Sequence, residues 1–167
     1  MANTNSPFGF RAFGHRDGSA PTMGLERRWI YSSDTNPYFT GDPVCNSSVT
    51  YGYLQPYGGS SLAPIVAGIF AGCEYYSPAV GRVVWNSNYQ PGAGAASSSP
   101  VYAYIISDPE MQFIVQASSA GIGSSQVGVN CAVLINQSSL GNTATGISNC
   151  TIASSYGRSE EHTSELQ

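Results

Sequence analysis

The chain has 167 residues, six arginines and no lysine against ten acidic residues, a net charge of −4, and 41% hydrophobic residues including eleven Tyr and six Phe. That length suits one domain with a sizeable core, and the apolar content excludes a disordered chain. The negative charge, with no basic cluster larger than Arg27-Arg28, speaks against a nucleic-acid surface, and the Ser, Thr, Asn and Gly remainder favours strands and turns over helices.

The first residues, "MANTNSPFGFRAFGHRDG", lack the apolar core of a signal peptide and the alternation of a strand. Residues 1–20 therefore read as an extended arm, without regular structure and loosely packed, whose Phe8, Phe10 and Phe13 need a partner surface. "LERRWIYS" (25–32) alternates: Leu25, Arg27, Trp29 and Tyr31 share one face, Glu26, Arg28 and Ile30 the other. "TGDPV" (40–44) reads as a turn leading into a strand, with Asp42 and Pro43 as turn formers. "SVTYGYL" (48–54) alternates less cleanly. "PIVAGIFAG" (64–72) is continuously apolar and reads as a core strand in which Gly68 and Gly72 allow close backbone approach. It is too short to span a bilayer, and no membrane association is expected. "GRVVWN" (81–86) follows. "VYAYIIS" (101–107) and "MQFIVQA" (111–117) flank "SDPE", whose Asp108 and Pro109 read as a tight turn between neighbouring strands. "QVGVNCAVLI" (126–135) and "ISNCTIA" (147–153) complete the strands. Residues 89–100 and 117–126, rich in Gly and Ser, read as surface loops. Eight or so short strands joined this way predict an all-β, single-domain barrel or sandwich over residues 21–157.

The chemical motifs carry little. "GIGSS" (121–125) lacks the third glycine and the lysine of a phosphate loop. A Ser-His-Asp triad has only His15 and His162 to draw on, and no G-x-S-x-G elbow is present. Asp108 and Glu110 flank Pro109 as a carboxylate pair, for which a turn is the simpler explanation. Cys45, Cys73, Cys131 and Cys150 have no C-x-x-C pairing, so neither a metal site nor a cofactor is expected and buried thiols are. Sequons at Asn46, Asn136 and Asn149 are what a chain rich in Asn and Ser writes by chance. These residues predict no enzyme.

The order of segments carries more than any one of them. "MANTNSPFGFRAF", "YFTGDPV", "PIVAGIFAGCEYY", "YIISDPEMQFIVQ", "VGVNCAVL" and "TGISNCTI" follow one another as in the head decoration or cement-type structural proteins of tailed bacteriophages, which this chain resembles over about residues 1–153. The resemblance implies a non-enzymatic protein on the outer capsid surface of the virion, made in the host cytoplasm. Its partner would be the major capsid protein, and a homo-oligomer such as a trimer is common in the family. Phe8, Phe10, Arg11 and Phe13 are then the expected capsid-binding residues. The runner-up is a carbohydrate- or receptor-binding β module of a phage tail or fibre, in which Trp29, Trp85, Tyr75 and Tyr76 would form one shallow groove.

The end departs from that pattern. Residues 158–167, "RSEEHTSELQ", are what a widely used sequencing adapter encodes when translated in frame. They read as a non-native tail on a gene fragment cut near Gly157, with one or more C-terminal strands missing. Setting the tail aside removes one arginine, three glutamates and His162, and leaves the rest of the chain nearer neutrality.

Overall fold

The computed structural model describes residues 6–19, 24–48, 50–58, 65–92, 99–118, 123–124, 127–128, 130–135 and 140–156, with side chains to residue 153. The adapter-like tail, Asn136 and most of the Gly-Ser loop at 119–126 lie outside the described residues. The protein is all-β, with no α-helix among the described residues. Among the described residues fourteen strands run in chain order. They are β1 Arg11–His15, β2 Leu25–Ile30, β3 Tyr38–Phe39, β4 Pro43–Asn46, β5 Tyr53–Pro56, β6 Val66–Ser77 and β7 Arg82–Asn86. There follow β8 Asn88–Tyr89, β9 Val101–Ile106, β10 Met111–Ile114, β11 Cys131–Leu134, β12 Gly141–Asn142, β13 Ile147–Ser148 and β14 Thr151–Tyr156.

Five of them close into a barrel. Around the ring β4 pairs with β5, β5 with β2, β2 with β9, β9 with β6, and β6 returns to β4. Only β2–β5 is parallel. The ring is thus closed on itself, with β7 added outside it along β6. Closure removes free edges, which is how a small β domain avoids edge-to-edge association. The interior is filled by Ile30, Val44, Leu54, Phe70, Val101, Ala103 and Ile105, with Tyr38, Tyr75 and Tyr89 packed against them. Tyr38 stacks obliquely on Phe70 and edge-on against Tyr89, so aromatic rings cover one side of this core.

The apolar run first read as 64–72 supplies residues 66–72 of a longer, 12-residue strand, Val66–Ser77. A bulge between Phe70 and Gly72 shifts its phase, so that Phe70 and then Cys73 and Tyr75 turn inward. Gly72 makes that possible: its φ is +152°, and a Cβ there would collide with the Trp85 indole. Gly68 serves the other expected approach, since a Cβ would meet the Ile106 carbonyl oxygen at 2.6 Å. On β2 the alternation holds, with Ile30 buried and Trp29 facing out. Glu26 and Arg28 share the face of Ile30; Arg28 Nε lies 2.8 Å from Glu26 Oε1, an ion pair by distance without hydrogen-bond geometry.

Three expectations are corrected. In the 48–54 segment the strand begins only at Tyr53, and Thr50, Tyr51 and Gly52 belong to the β4–β5 hairpin loop, because Gly52 takes φ +85° and Ser47 N–H donates to the Tyr53 carbonyl. In the 126–135 segment, Gly128 at φ +82° delays the strand to Cys131. The strands flanking "SDPE" are sequential yet unpaired: β9 stays in the barrel, and β10 leaves it to pair with β1.

That pairing also corrects the arm. Residues 11–15 are not irregular; they form β1, antiparallel to β10, with Arg11 opposite Ile114 and His15 opposite Met111. A bulge between Ala12 and Gly14 leaves Phe13 without a cross-strand partner, which is why the stretch shows no clean alternation. Just upstream, Gly9 takes φ +67° and is wedged against Ser148 and Gly41, where a Cβ would lie 2.7 Å from Ser148 Cβ.

Candidate functional site

The β1–β10 ribbon is tied down at both ends. At its far end His15 Nε2 hydrogen-bonds Asp108 Oδ2 at 2.8 Å, and Arg16 N–H donates to the Glu110 carbonyl at 3.0 Å. Asp108 is a turn residue: its Oδ1 accepts the Glu110 N–H at 2.9 Å across the exposed Pro109. The Glu110 N–H and the His15 ring together hold the Asp108 carboxyl below its usual range.

At the near end sits Asp42. Its Oδ2 accepts the Phe39 N–H at 2.8 Å, and its Oδ1 accepts the Ser148 hydroxyl, which in turn accepts the Cys150 N–H. Pro43 is fully buried and opens β4. Around this carboxylate three remote segments meet. Phe10 N–H donates to the Gly41 carbonyl, Ser148 N–H to Thr40 and Thr40 N–H to Gly146. Burial pushes the Asp42 carboxyl up to about 6, while Ser148 and the Phe39 N–H pull it back down. Cys73 and Cys150 are pushed by burial up to about 12, so both stay protonated and unreactive. Cys45 is buried too, whereas Cys131 is half-buried.

Of the expected capsid-binding residues, three make contacts within the chain. Phe10 packs edge-on against Phe113 of β10 at 6.1 Å, and Phe8 lies under the Arg11 guanidinium at 5.4 Å. Phe13 is different: it is 67% exposed, at the bulge, on a ribbon that also exposes Arg11 and Ile114. Ile114 was not singled out beforehand, and His15 was weighed only as a triad candidate, because neither residue type nor spacing shows the β1–β10 register that pairs them with Arg11 and Met111.

The barrel carries a second surface. The outward residues of β5, β2, β9, β6 and β7 line up in register as Tyr53, Trp29, Tyr102, Glu74 and Trp85. Trp29 packs against Tyr102 at 5.1 Å and Tyr53 at 6.5 Å, Tyr31 against Tyr53 at 5.3 Å, and Trp85 against Tyr104 at 4.9 Å. Arg27 stacks over Tyr102 at 4.5 Å. Trp29, Tyr31, Tyr76 and Trp85 remain exposed. Tyr75, expected in the same groove, is buried in the core and donates no ring to this face, because the Gly72 bulge turns it inward. At the Tyr31–Tyr53 end the face drops into a cleft of about 240 Å³ bordered by Asp34, Asn36, Thr50 and Gln55.

Among the described residues no group of three or more His, Cys, Asp and Glu is placed to hold a metal ion. Comparison with protein-family models, with curated proteins and with solved structures finds no match.

Proposed function

We propose that this chain is a capsid accessory protein of the decoration or cement type, which binds and stabilises a lattice of major capsid protein without chemistry. The observation that carries the reading is Phe13. A large apolar ring held outward at a bulge, on a strand fastened by His15–Asp108 and by the Gly9–Gly41 contact, is built to insert into another surface. It is also one of the residues that the resemblance in motif order implies for capsid contact. A ribbon this small covers less than the roughly 800 Å² per partner of a standard interface. On a lattice such weak contacts gain from multivalency if each copy bridges two subunits. The work done is clamping: the interface opposes separation of neighbouring capsid subunits.

Deleting residues 1–12 is a poor test, since it strips Arg11 and Ala12 from β1. The paired substitution Phe13→Ser, Ile114→Ser leaves both strands in place. Sedimentation with assembled capsids should show the parent chain co-pelleting and the double variant remaining in the supernatant. Equal decoration by both removes the ribbon as the anchor.

The alternative, a receptor- or carbohydrate-binding module of a tail or fibre, draws on the aromatic barrel face. It predicts no affinity for capsids at all, so the same sedimentation separates the two readings.

A further inference from the structure

The cleft beside Tyr31 and Tyr53 has a composition that the capsid reading does not use. Its border combines two tyrosine rings with Asp34, Asn36, Thr50 and Gln55, and contains no lysine, arginine or histidine. A protein partner or apolar ligand would ask for aliphatic surface, and the one large aliphatic residue at this border, Leu54, is buried in the core. An anionic ligand would meet a carboxylate with no cation beside it. At about 240 Å³ the cleft is below the range of drug-sized sites, about 300–1,000 Å³, and takes one small ring.

Asp34 is set in place for recognition. Its Oδ1 accepts both the backbone N–H and the side-chain amide of Asn36, at 2.9 and 2.7 Å. Its Oδ2 accepts the hydroxyl of Tyr38, a buried core residue. A carboxylate offers about four acceptor positions; three are taken, and one on Oδ2 is left for a donor outside these partners. The Asp34 N–H bond to the Tyr31 carbonyl at 2.9 Å fixes the same loop against the first tyrosine. Beyond the cleft the rings continue: Tyr31, Tyr53, Trp29 and Tyr102 follow at centroid spacings of 5.1–6.5 Å, and Trp29 is 45% exposed.

We infer that this cleft and the adjoining rings bind a neutral saccharide of two or more units. A pyranose has an apolar C–H face, which an exposed aromatic ring covers, and a rim of hydroxyls that donate to a fixed carboxylate and exchange hydrogen bonds with amides and hydroxyls. One unit sits on Tyr31 and Tyr53 with a hydroxyl directed to Asp34 Oδ2. The next lies along Trp29. This goes beyond the capsid reading and does not depend on it: it rests on the cleft and the outer barrel face, not on the β1–β10 ribbon.

The test uses the full chain and a panel of neutral oligosaccharides built on glucose, mannose, galactose and N-acetylglucosamine, with a sialylated oligosaccharide as the anionic comparison. Amide chemical shifts and tryptophan fluorescence are followed to millimolar ligand. At least one neutral series should saturate, with shifts centred on residues 31–36 and 50–55, and the sialylated sugar should bind more weakly. Tyr31→Ala should weaken binding tenfold or more, and so should Thr50→Ala or Asp34→Asn to a lesser degree. Trp85→Phe, at the far end of the face, should leave affinity unchanged. No saturable binding by any panel member overturns the inference, as does full affinity in Tyr31→Ala with a native spectrum. A dimer that Tyr31→Ala converts to monomer also overturns it, by assigning the face to a second copy. Failure here leaves the sedimentation result untouched, and the reverse.

Discussion

The barrel and the β1–β10 ribbon are made of similar residues arranged to opposite ends. In the barrel, Phe70, Ile105 and Val101 point into a closed ring that has no free edge. In the ribbon, Phe13 and Ile114 stay exposed on a pair of antiparallel strands clamped at the far end by His15 and Asp108. An inward ring stabilises the fold; an outward ring costs the fold little and is available to a partner. The same side chain is thus read by its register, and the difference should appear as two separable kinds of mutant.

The largest effect belongs to the barrel. Phe70→Ala removes a fully buried ring that also supports Tyr38, and should cost about 3–5 kcal/mol. Against a total of about 5–15 kcal/mol for an ordinary domain, that is a large part of the stability. Urea unfolding followed by tyrosine and tryptophan fluorescence measures it. A loss under about 1 kcal/mol would mean the interior is loosely packed and the contrast with the ribbon unfounded.

The next effect sharpens the comparison through pH, because the two aspartates respond in opposite directions. Burial raises the Asp42 carboxyl to about 6 in the folded state against the ordinary aspartate value of 3.8, so between those values the folded state holds more protons than the unfolded state. Stability therefore falls as pH rises from about 4 to about 6, and ionisation costs about 3 kcal/mol at about 1.4 kcal/mol per unit. Asp42→Asn keeps an acceptor for the Phe39 N–H and cannot ionise. Urea midpoints measured from pH 4 to 7 should decline less in the variant than in the parent. Parallel profiles for the two chains would show that Asp42 does not titrate in this window. If added calcium raised the melting temperature of the parent and not of Asp42→Asn, the residue would be a ligand and its turn role secondary.

Asp108 works the other way. Its carboxyl is held below the usual range, so its contribution is present above that range and is lost as pH falls through the lowered folded value. His15→Ala removes the same clamp at neutral pH. Hydrogen exchange should then speed up at the amides of residues 11–15 and 111–114, while barrel amides of β6 and β9 keep their protection. Uniform loss of protection across both regions would show that ribbon and barrel unfold as one unit.

Much of the barrel was legible because strand alternation survives where one face is buried. Leu25, Arg27, Trp29 and Tyr31 follow from periodicity alone, and the close approaches at Gly68 and Gly72 from glycines set inside an apolar run. What was hidden has a common cause, the bulge. At Gly72 it turned Tyr75 from the expected groove into the core, and at Phe13 it broke the alternation that would have announced β1. Two-residue strands such as β3 and β8 carry too few positions for any period to show. Partners far apart in the chain were beyond reach as well. Ser148 meets Asp42 from 106 residues away, and Asp108 meets His15 from 93, contacts that only the folded chain makes. Likewise the neighbours of Trp29 on the outer face, Tyr53 and Tyr102, come from cross-strand registers that no local pattern states.

The smallest effect on stability is the most informative about role. Phe13 has no cross-strand partner and is two-thirds exposed, so Phe13→Ser removes little buried area and should change unfolding free energy by no more than about 0.5 kcal/mol. If the ring is an interface anchor, the same change removes a contact that is fully desolvated only in the complex, and such anchors cost about 2 kcal/mol or more when truncated. That converts to roughly a thirtyfold weaker hold per contact, at 1.4 kcal/mol for each factor of ten. The expected signature is therefore an unchanged urea midpoint together with a steep loss of capsid co-sedimentation. A destabilised variant that still decorates capsids would reverse both halves: Phe13 would belong to the fold, and the ribbon would lose its distinction from the barrel.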